Sequence, residues 1–409
     1  MKRRGGLAAW AAVGPMALGV LASGCGDGGA GSGLRSEVRD SAGIVIVENQ
    51  APPADLSPLW TLAEAPALDI GVLEGEDTYQ LFQVRDARRL DDGRILVANG
   101  GSQEVRVFDA AGVFLTAFGQ AGDGPGEFRY VASLEILPGD SILVWDRSHS
   151  RLSVFGPAFE FARSFSLAGT ETAPRAQFLD LLGDGRIVGG GTVTPDMSAL
   201  PPTGVSRFDV TRTVHDLSGA VTADLGTHPG AERFIRAGGG TISVWVSPMY
   251  RTAVALGWRG DVVIATNDAY RFQVYGPDGT LTRVVRMDHP PVPVTDADRS
   301  AYVETQVRDL DDERARAVRA DLADVTWPDT HPAYGTVLVD ALDRLWVEDY
   351  RRPGDDSAPT WTVFDPDGRV LGKVGTPAGL VIHEIGADYV LGRAPDDLDV
   401  EHVQLWEVR

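Results

Sequence analysis

Cysteine is almost missing from this chain: Cys25 is the only one in 409 residues. A single thiol excludes an internal disulfide, and a chain of this length builds a core large enough to need none. Lysine is nearly as scarce, with Lys2 and Lys373 alone, and asparagine occurs only at Asn49, Asn99 and Asn267. Acidic side chains outnumber basic ones 58 to 37, a formal charge of −21. That balance excludes the clustered cationic surface that nucleic acid requires. No apolar run reaches the ~18 residues of a spanning helix, which excludes a polytopic membrane protein. Nine Trp, fourteen Phe and a 43% hydrophobic content exclude wholesale disorder. Catalytic signatures are also missing: there is no Gly-x-Ser-x-Gly elbow, His-Glu-x-x-His helix, phosphate-binding loop or Cys/His cluster. The seven His stand singly, at 149, 215, 228, 289, 331, 383 and 402.

What is present begins with an address. Lys2-Arg3-Arg4 precedes an apolar stretch from Leu7 to Ala22 and then Ser23-Gly24-Cys25. A positive start, a short apolar segment and small residues before a cut site are the marks of an export signal. Residues 1–24 are therefore expected to be a signal peptide. The placement of Cys25 resembles a bacterial lipobox, with Ala22 where the strictest pattern has Leu. The resemblance implies lipidation of Cys25 and a membrane contact made through acyl chains alone, each buried CH₂ contributing about 0.8 kcal/mol. Gly26 to Gly33 contains only Gly, Asp, Ala and Ser, so residues 25–42 are expected to form a flexible tether. Gly26, rather than Asp, follows the Cys; by resemblance to lipoprotein sorting this implies the periplasmic side of the outer membrane.

From residue 43 onward, short alternating runs end in Gly/Asp turns. The clearest unit is Val105-Arg-Val-Phe-Asp-Ala-Ala-Gly-Val-Phe114, with relatives at 152–159, 214–221, 272–279, 361–368 and 403–406. Alternation makes the strand, and Asp-x-x-Gly makes the hairpin turn. The aligned aromatic slot holds Phe108, Phe155, His215, Tyr275, Phe364 and Trp406, at intervals of 47, 60, 60, 89 and 42 residues. Ile95, Ile142 and Val262 each stand thirteen residues before it. Four strands in roughly 50 residues is a propeller blade, so six copies predict an all-β, six-bladed β-propeller over 43–409. The last copy ends at Arg409 with no room for an outermost strand. An N-terminal strand must then close the ring, because an unpaired edge invites aggregation. Gly43–Glu48 and Leu59–Gly71 are the candidates. Blade three departs from the pattern, with His215 in the aromatic slot and extra residues over 191–210.

Phe118-Gly-Gln-Ala-Gly-Asp-Gly-Pro-Gly-Glu-Phe128, together with Asp146-Arg-Ser-His-Ser-Arg-Leu-Ser-Val-Phe155, resembles one NHL repeat. Residues 43–409 as a whole resemble the TolB-like six-bladed propeller lipoproteins of bacteria, with supporting pieces at 84–93, 332–335, 344–347 and 397–402. That resemblance implies a monomeric scaffold that binds an envelope protein or a small ligand, not a named activity.

Residues 295–324 break the β pattern. Thr295 followed by Asp298 reads as a capped helix start, and apolar residues recur at helical spacing from Ala301 to Leu322. Asp311 is expected to begin a second helix ending near Pro328. The insertion reads as a lid over one mouth of the channel, the alternative being a pair packed on the side of the disc.

The candidate ligand surface is the mouth formed by loops that lead into the innermost strands. It contributes Asp86 from blade one, Glu127, Arg129 and Tyr130 before blade two, and Trp327 and His331 before blade five. No catalytic residue, metal ligand or cofactor is assigned. The enzymatic alternative is a Ca²⁺-dependent lactonase or phosphotriesterase, whose channel ion would need carboxylate and Asn oxygens. Asn99, Asp146 and Asn267 share a second-strand position that reads as a turn cap.

Overall fold

A computed structural model describes residues 34–53, 55–194, 203–238, 241–245 and 249–409. The expected signal peptide, Cys25 and the Gly-rich stretch to Gly33 lie outside the described residues.

The described residues form six sheets, each with an antiparallel four-stranded blade at its centre, arranged as a propeller. Blade one is Val84–Arg89, Ile95–Asn99, Glu104–Phe108 and Phe114–Phe118, from inner to outer strand. Blade two is Val131–Leu137, Ser141–Asp146, Arg151–Phe155 and Phe161–Phe165. Blade three is Gln177–Leu181, Ile187–Thr192, Gly204–His215 and Val221–Gly238, with Thr241–Trp245 added at its edge. Blade four is Ala253–Trp258, Asp261–Thr266, Arg271–Tyr275 and Leu281–Met287. Blade five is Val337–Val339, Leu345–Glu348, Thr360–Phe364 and Val370–Gly375. Blade six is Val381–Ile385, Tyr389–Pro395, Glu401–Glu407 and, as its outer strand, Leu68–Ile70.

The repeat read from sequence is the repeat of the fold. Each aromatic-slot residue sits on a third strand and pairs with one second-strand residue: Phe108 with Ile95, Phe155 with Ile142, His215 with Ile187, Tyr275 with Val262, Phe364 with Leu345, Trp406 with Val390. His215 fits the slot because it is fully buried with Nε2 2.8 Å from the Thr213 hydroxyl. The tight turns close as the Asp-x-x-Gly chemistry requires. Asp109 Oδ1 accepts the amides of Ala111 and Val113, and Gly112 takes φ +80°.

Both N-terminal candidates are used, in different places. Leu68–Ile70 pairs antiparallel with Glu401–Glu407 and closes the ring by mixing the two termini in one blade. Ile44–Asn49 instead adds in parallel to the outer strand of blade four, and Ser36–Ser41 pairs with it antiparallel. The expected tether over 25–42 is therefore too long. Ser36–Ser41 is strand because its backbone finds a ladder partner, even though its side chains are exposed. Asn49 fixes this addition: its side chain accepts the Val370 amide at 3.0 Å and donates to the carbonyls of Arg286 and Gly368.

The core is divided among the blade interfaces. One apolar cluster lies between each neighbouring pair, such as Leu96, Val107, Phe128, Leu134 and Phe155 between blades one and two. A blade's central strands are buried on both faces, which is why Ile95–Asn99 is buried throughout. A further cluster joins the helical insertion to the extended hairpin of blade three through Phe234, Tyr250, Tyr302 and Leu322. The insertion is two helices, α1 (Asp296–Val307) and α2 (Asp312–Ala323). Thr295 and Asp298 form a full capping box on α1, and Asp311 caps α2. The second helix ends at Ala323, short of the expected Pro328.

Candidate functional site

Consecutive antiparallel strands set the two faces of the disc apart. First-to-second and third-to-outer connections fall on one face, here the turn face. Second-to-third and blade-to-blade connections fall on the other, the loop face. Connections on the turn face run from two residues (259–260) to five (90–94, 109–113, 365–369). The loop face carries 71–83, 119–130, 349–359 and the whole span between Met287 and Val337 that holds both helices. The side chains named from sequence are spread between this face and the channel it surrounds.

In the channel, Arg88, Glu135, Asp180, Leu256, Leu338 and Glu384 occupy one level. Each pairs with the second-strand residue whose third-strand partner directly precedes the aromatic slot; for Arg88 these are Leu96 and Val107. An inner strand has no sheet partner on its axial edge, so its amides need other acceptors. Carboxylates supply them across the blade boundaries. Asp86 Oδ2 accepts the Leu134 amide of blade two at 2.9 Å, Asp180 Oδ2 the Gly257 amide of blade four at 2.7 Å, and Glu384 Oε2 the Arg89 amide of blade one at 2.9 Å. Arg88 ties the set together, donating to Asp86 at 2.6 Å, to Glu135 at 3.1 Å and to the His383 carbonyl at 2.7 Å.

Burial sets the charge state here. It pushes the carboxyls of Asp86 and Asp180 up to about 7 and raises Glu384 above the usual range. It also pushes the His383 imidazole down to about 3, with Arg88 adding to the fall. Burial alone would lower Arg88, yet Asp86, Glu135 and Glu384 hold its guanidinium above its ordinary value. These carboxylates are engaged in holding blades together. Among the described residues no group of three or more His, Cys, Asp or Glu side chains converges to hold a metal.

Of the residues singled out from sequence, Asp86 alone lies in this channel cluster, almost fully buried. Glu127, Arg129 and Tyr130 lie together on the loop face in the connection before blade two. Glu127 accepts from the Gln120 side chain and the Gly124 amide, and Arg129 pairs with Asp123. Tyr130 receives the Arg85 guanidinium 4.7 Å above its ring. Trp327 borders a cleft of about 280 Å³ between α1 and α2, with Val303, Leu322, Arg299, Glu304 and Arg319. His331 does not face the mouth. Its side chain is 1% exposed, beneath the first turn of α1, with Nε2 3.2 Å from Asp298 Oδ2 and its ring 5.2 Å from that of Tyr350. Burial acts to raise Asp298, but hydrogen bonds from Thr295 and the adjacent His331 imidazole hold it down at about 2.

Asn99, Asp146 and Asn267 hold the incoming loops. Their side chains accept the amides of Phe82, Arg129 and Thr252 at 2.9, 2.9 and 2.7 Å, each just ahead of an inner strand. Sequence reading missed Arg88, Glu135, Asp180 and Glu384. The signal available was a charged residue inside the inner-strand runs of blades one, two, three and six.

Residues 72–170 match the family model DUF5128, described as a 6-bladed beta-propeller. The chain is a six-bladed β-propeller. No curated protein matches it in sequence. Among solved structures it is similar to an exported-protein candidate from Bacteroides fragilis, at 13% identity and TM-score 0.49 over 89% of this chain and 99% of that one. A member of the DUF4221 family from Bacteroides vulgatus matches at 12% identity and TM-score 0.45, over 86% and 98%. Virginiamycin B lyase from Staphylococcus aureus matches at 9% identity and TM-score 0.38, over 85% and 99%.

Proposed function

We propose that this propeller is a lipid-anchored binding scaffold of the bacterial cell envelope, attached through Cys25 and engaging an envelope protein or small ligand with its loop face. The observation that carries this reading is the asymmetry of the disc: where successive blade strands are joined, one face has tight turns of five residues or fewer, and the connections longer than five residues, with both helices, are on the other. Long structured connections are uncommon in compact domains unless they serve recognition. In the channel, Asp86, Asp180 and Glu384 accept amides of neighbouring inner strands and Glu135 pairs with Arg88, so these four side chains are already engaged within the ring. Export and anchoring rest on Lys2-Arg3-Arg4, the apolar stretch and the lipobox-like position of Cys25. Placement at the periplasmic side of the outer membrane rests on Gly26.

The test is hydrogen exchange of the chain in envelope fragments compared with the purified protein. Slower exchange is expected over 71–83, 349–359 and 396–400, with no change at 109–113 and 365–369. Replacing Cys25→Ser is expected to release the chain and abolish the difference. Protection confined to the tight turns, or none on either face, contradicts the reading.

A further inference from the structure

Three large apolar side chains stand out of the loop face where blades six and one meet: Leu73, Phe82 and Leu398, 57%, 64% and 69% exposed. The closure brings together the connections that carry them. Leu398 lies in the connection that leads into Glu401–Glu407, and Leu73 in the one that leaves Leu68–Ile70. Those two strands are hydrogen-bonded neighbours, with Val403 opposite Ile70, so both connections leave the blade side by side. Gly71 abuts Glu401 so closely that a Cβ there would lie 2.7 Å from the Glu401 carbonyl oxygen. The Glu401 carboxylate in turn accepts the Val84 amide at 2.7 Å, which draws Phe82 to the same corner.

The surroundings are predominantly acidic, the nearby Arg106 being engaged by the Thr78 and Gln80 carbonyls and Arg393 by Glu401. Residues 71–83 and 396–400 contain Glu74, Glu76, Asp77, Asp396, Asp397 and Asp399, all exposed, and no Lys, Arg or His. Isolated exposed apolar residues need no explanation, but a cluster rimmed by polar groups marks an interaction surface. Apolar tips in an acidic rim complement a partner that presents large apolar side chains flanked by Lys or Arg. The same rim repels an anionic lipid surface.

We propose that this corner docks a cationic amphipathic segment of a partner protein. The proposal rests on the binding-scaffold reading and adds the place and the chemistry of the contact. Apolar anchors in such contacts carry most of the affinity, while rim charges set its salt dependence.

The experiment uses the anchor-free chain and fluorescence anisotropy with a synthetic Leu/Lys amphipathic peptide of about five helical turns. A Leu/Glu peptide of the same pattern and phosphatidylglycerol vesicles are the comparison probes. The Leu/Lys peptide is expected to bind the wild-type chain and to bind Phe82→Ser/Leu398→Ser about tenfold more weakly. It is expected to bind Val113→Ser/Leu342→Ser, which alters exposed apolar residues on the turn face, as well as it binds the wild type. Equal weakening of both double variants, or none in either, shows attraction to net charge alone and overturns the proposal. Equal binding of the Leu/Glu peptide overturns it too, as does vesicle binding that Phe82→Ser/Leu398→Ser abolishes. Thermal melts check that each variant is folded, and Leu73→Ser/Leu398→Ser replaces any Phe82 variant that is not. Exchange protection found on the loop face but away from 71–83 and 396–400 overturns the docking corner and leaves the scaffold reading standing.

Discussion

Asp180 shows how a charged side chain serves a propeller without catalysing anything. Its two oxygens accept the amides of Gly257 and Leu181, so one carboxylate joins blade three to blade four. Burial raises its carboxyl to about 7, whereas in an unfolded chain a carboxyl titrates near 4. Between those values the native state holds more protons than the unfolded one, so this residue's contribution falls as pH rises from about 4 to about 7. His383 acts oppositely over much of that window, because its lowered pKa disfavours the fold as pH falls. The readout is therefore the difference between variant and wild type. Asp180→Asn, which cannot ionise, is expected to gain melting temperature relative to wild type between about pH 5 and pH 8, by about 2 °C or more. A difference independent of pH contradicts the assignment. This role was not legible beforehand. In sequence Asp180 is one polar residue in the run Gln177–Leu181, and only the register across three strands places it level with Arg88, Glu135 and Glu384. The turn-capping reading of Asn99, Asp146 and Asn267 was legible, because a short polar side chain at a strand end has few other uses.

At the scale of elements, the closing strand carries the largest consequence. Leu68–Ile70 covers the edge of Glu401–Glu407, and Ile70 is buried against Ala87, Ile95 and Phe108 of blade one. A chain starting at residue 75 is expected to expose that edge and aggregate or melt well below the full chain. A chain starting at residue 50 keeps the closing strand, loses only the added pair on blade four, and is expected to remain a folded monomer. Light scattering and thermal melts on the two truncations decide the point. A residue-75 chain as stable and monomeric as the residue-50 chain contradicts the closure. The need for an N-terminal strand was legible from the missing outer strand of the last repeat. That Ile44–Asn49 would serve elsewhere was not, since a strand that joins its blade in parallel has no short connection to announce the pairing. The helices were legible from Thr295, Asp298 and Asp311. Their packing against blade three was not, because it depends on Phe234 and Tyr250, far away in sequence.

For the molecule as a whole, six near-equivalent blades make the ring, and apart from the strand pair outside blade four and the segment leading to the closing strand, the departures from equivalence fall on one face. The hairpin extension of blade three, the helical pair and the apolar corner at the closure belong to blades that otherwise repeat one another. The acidic excess of the sequence becomes local at that corner, where two adjoining connections hold six carboxylates and no basic residue. The central claim is that the loop face is the binding face. Site-specific photo-cross-linking in living cells tests it most directly, with a photoreactive residue placed in turn at Phe82, Leu310 and Leu398 on the loop face and at Val113 and Leu342 on the turn face, all exposed apolar positions. Adducts from at least one loop-face position and from neither turn-face position are the predicted result. Adducts from the turn face alone, or from no position on either face, would contradict the account.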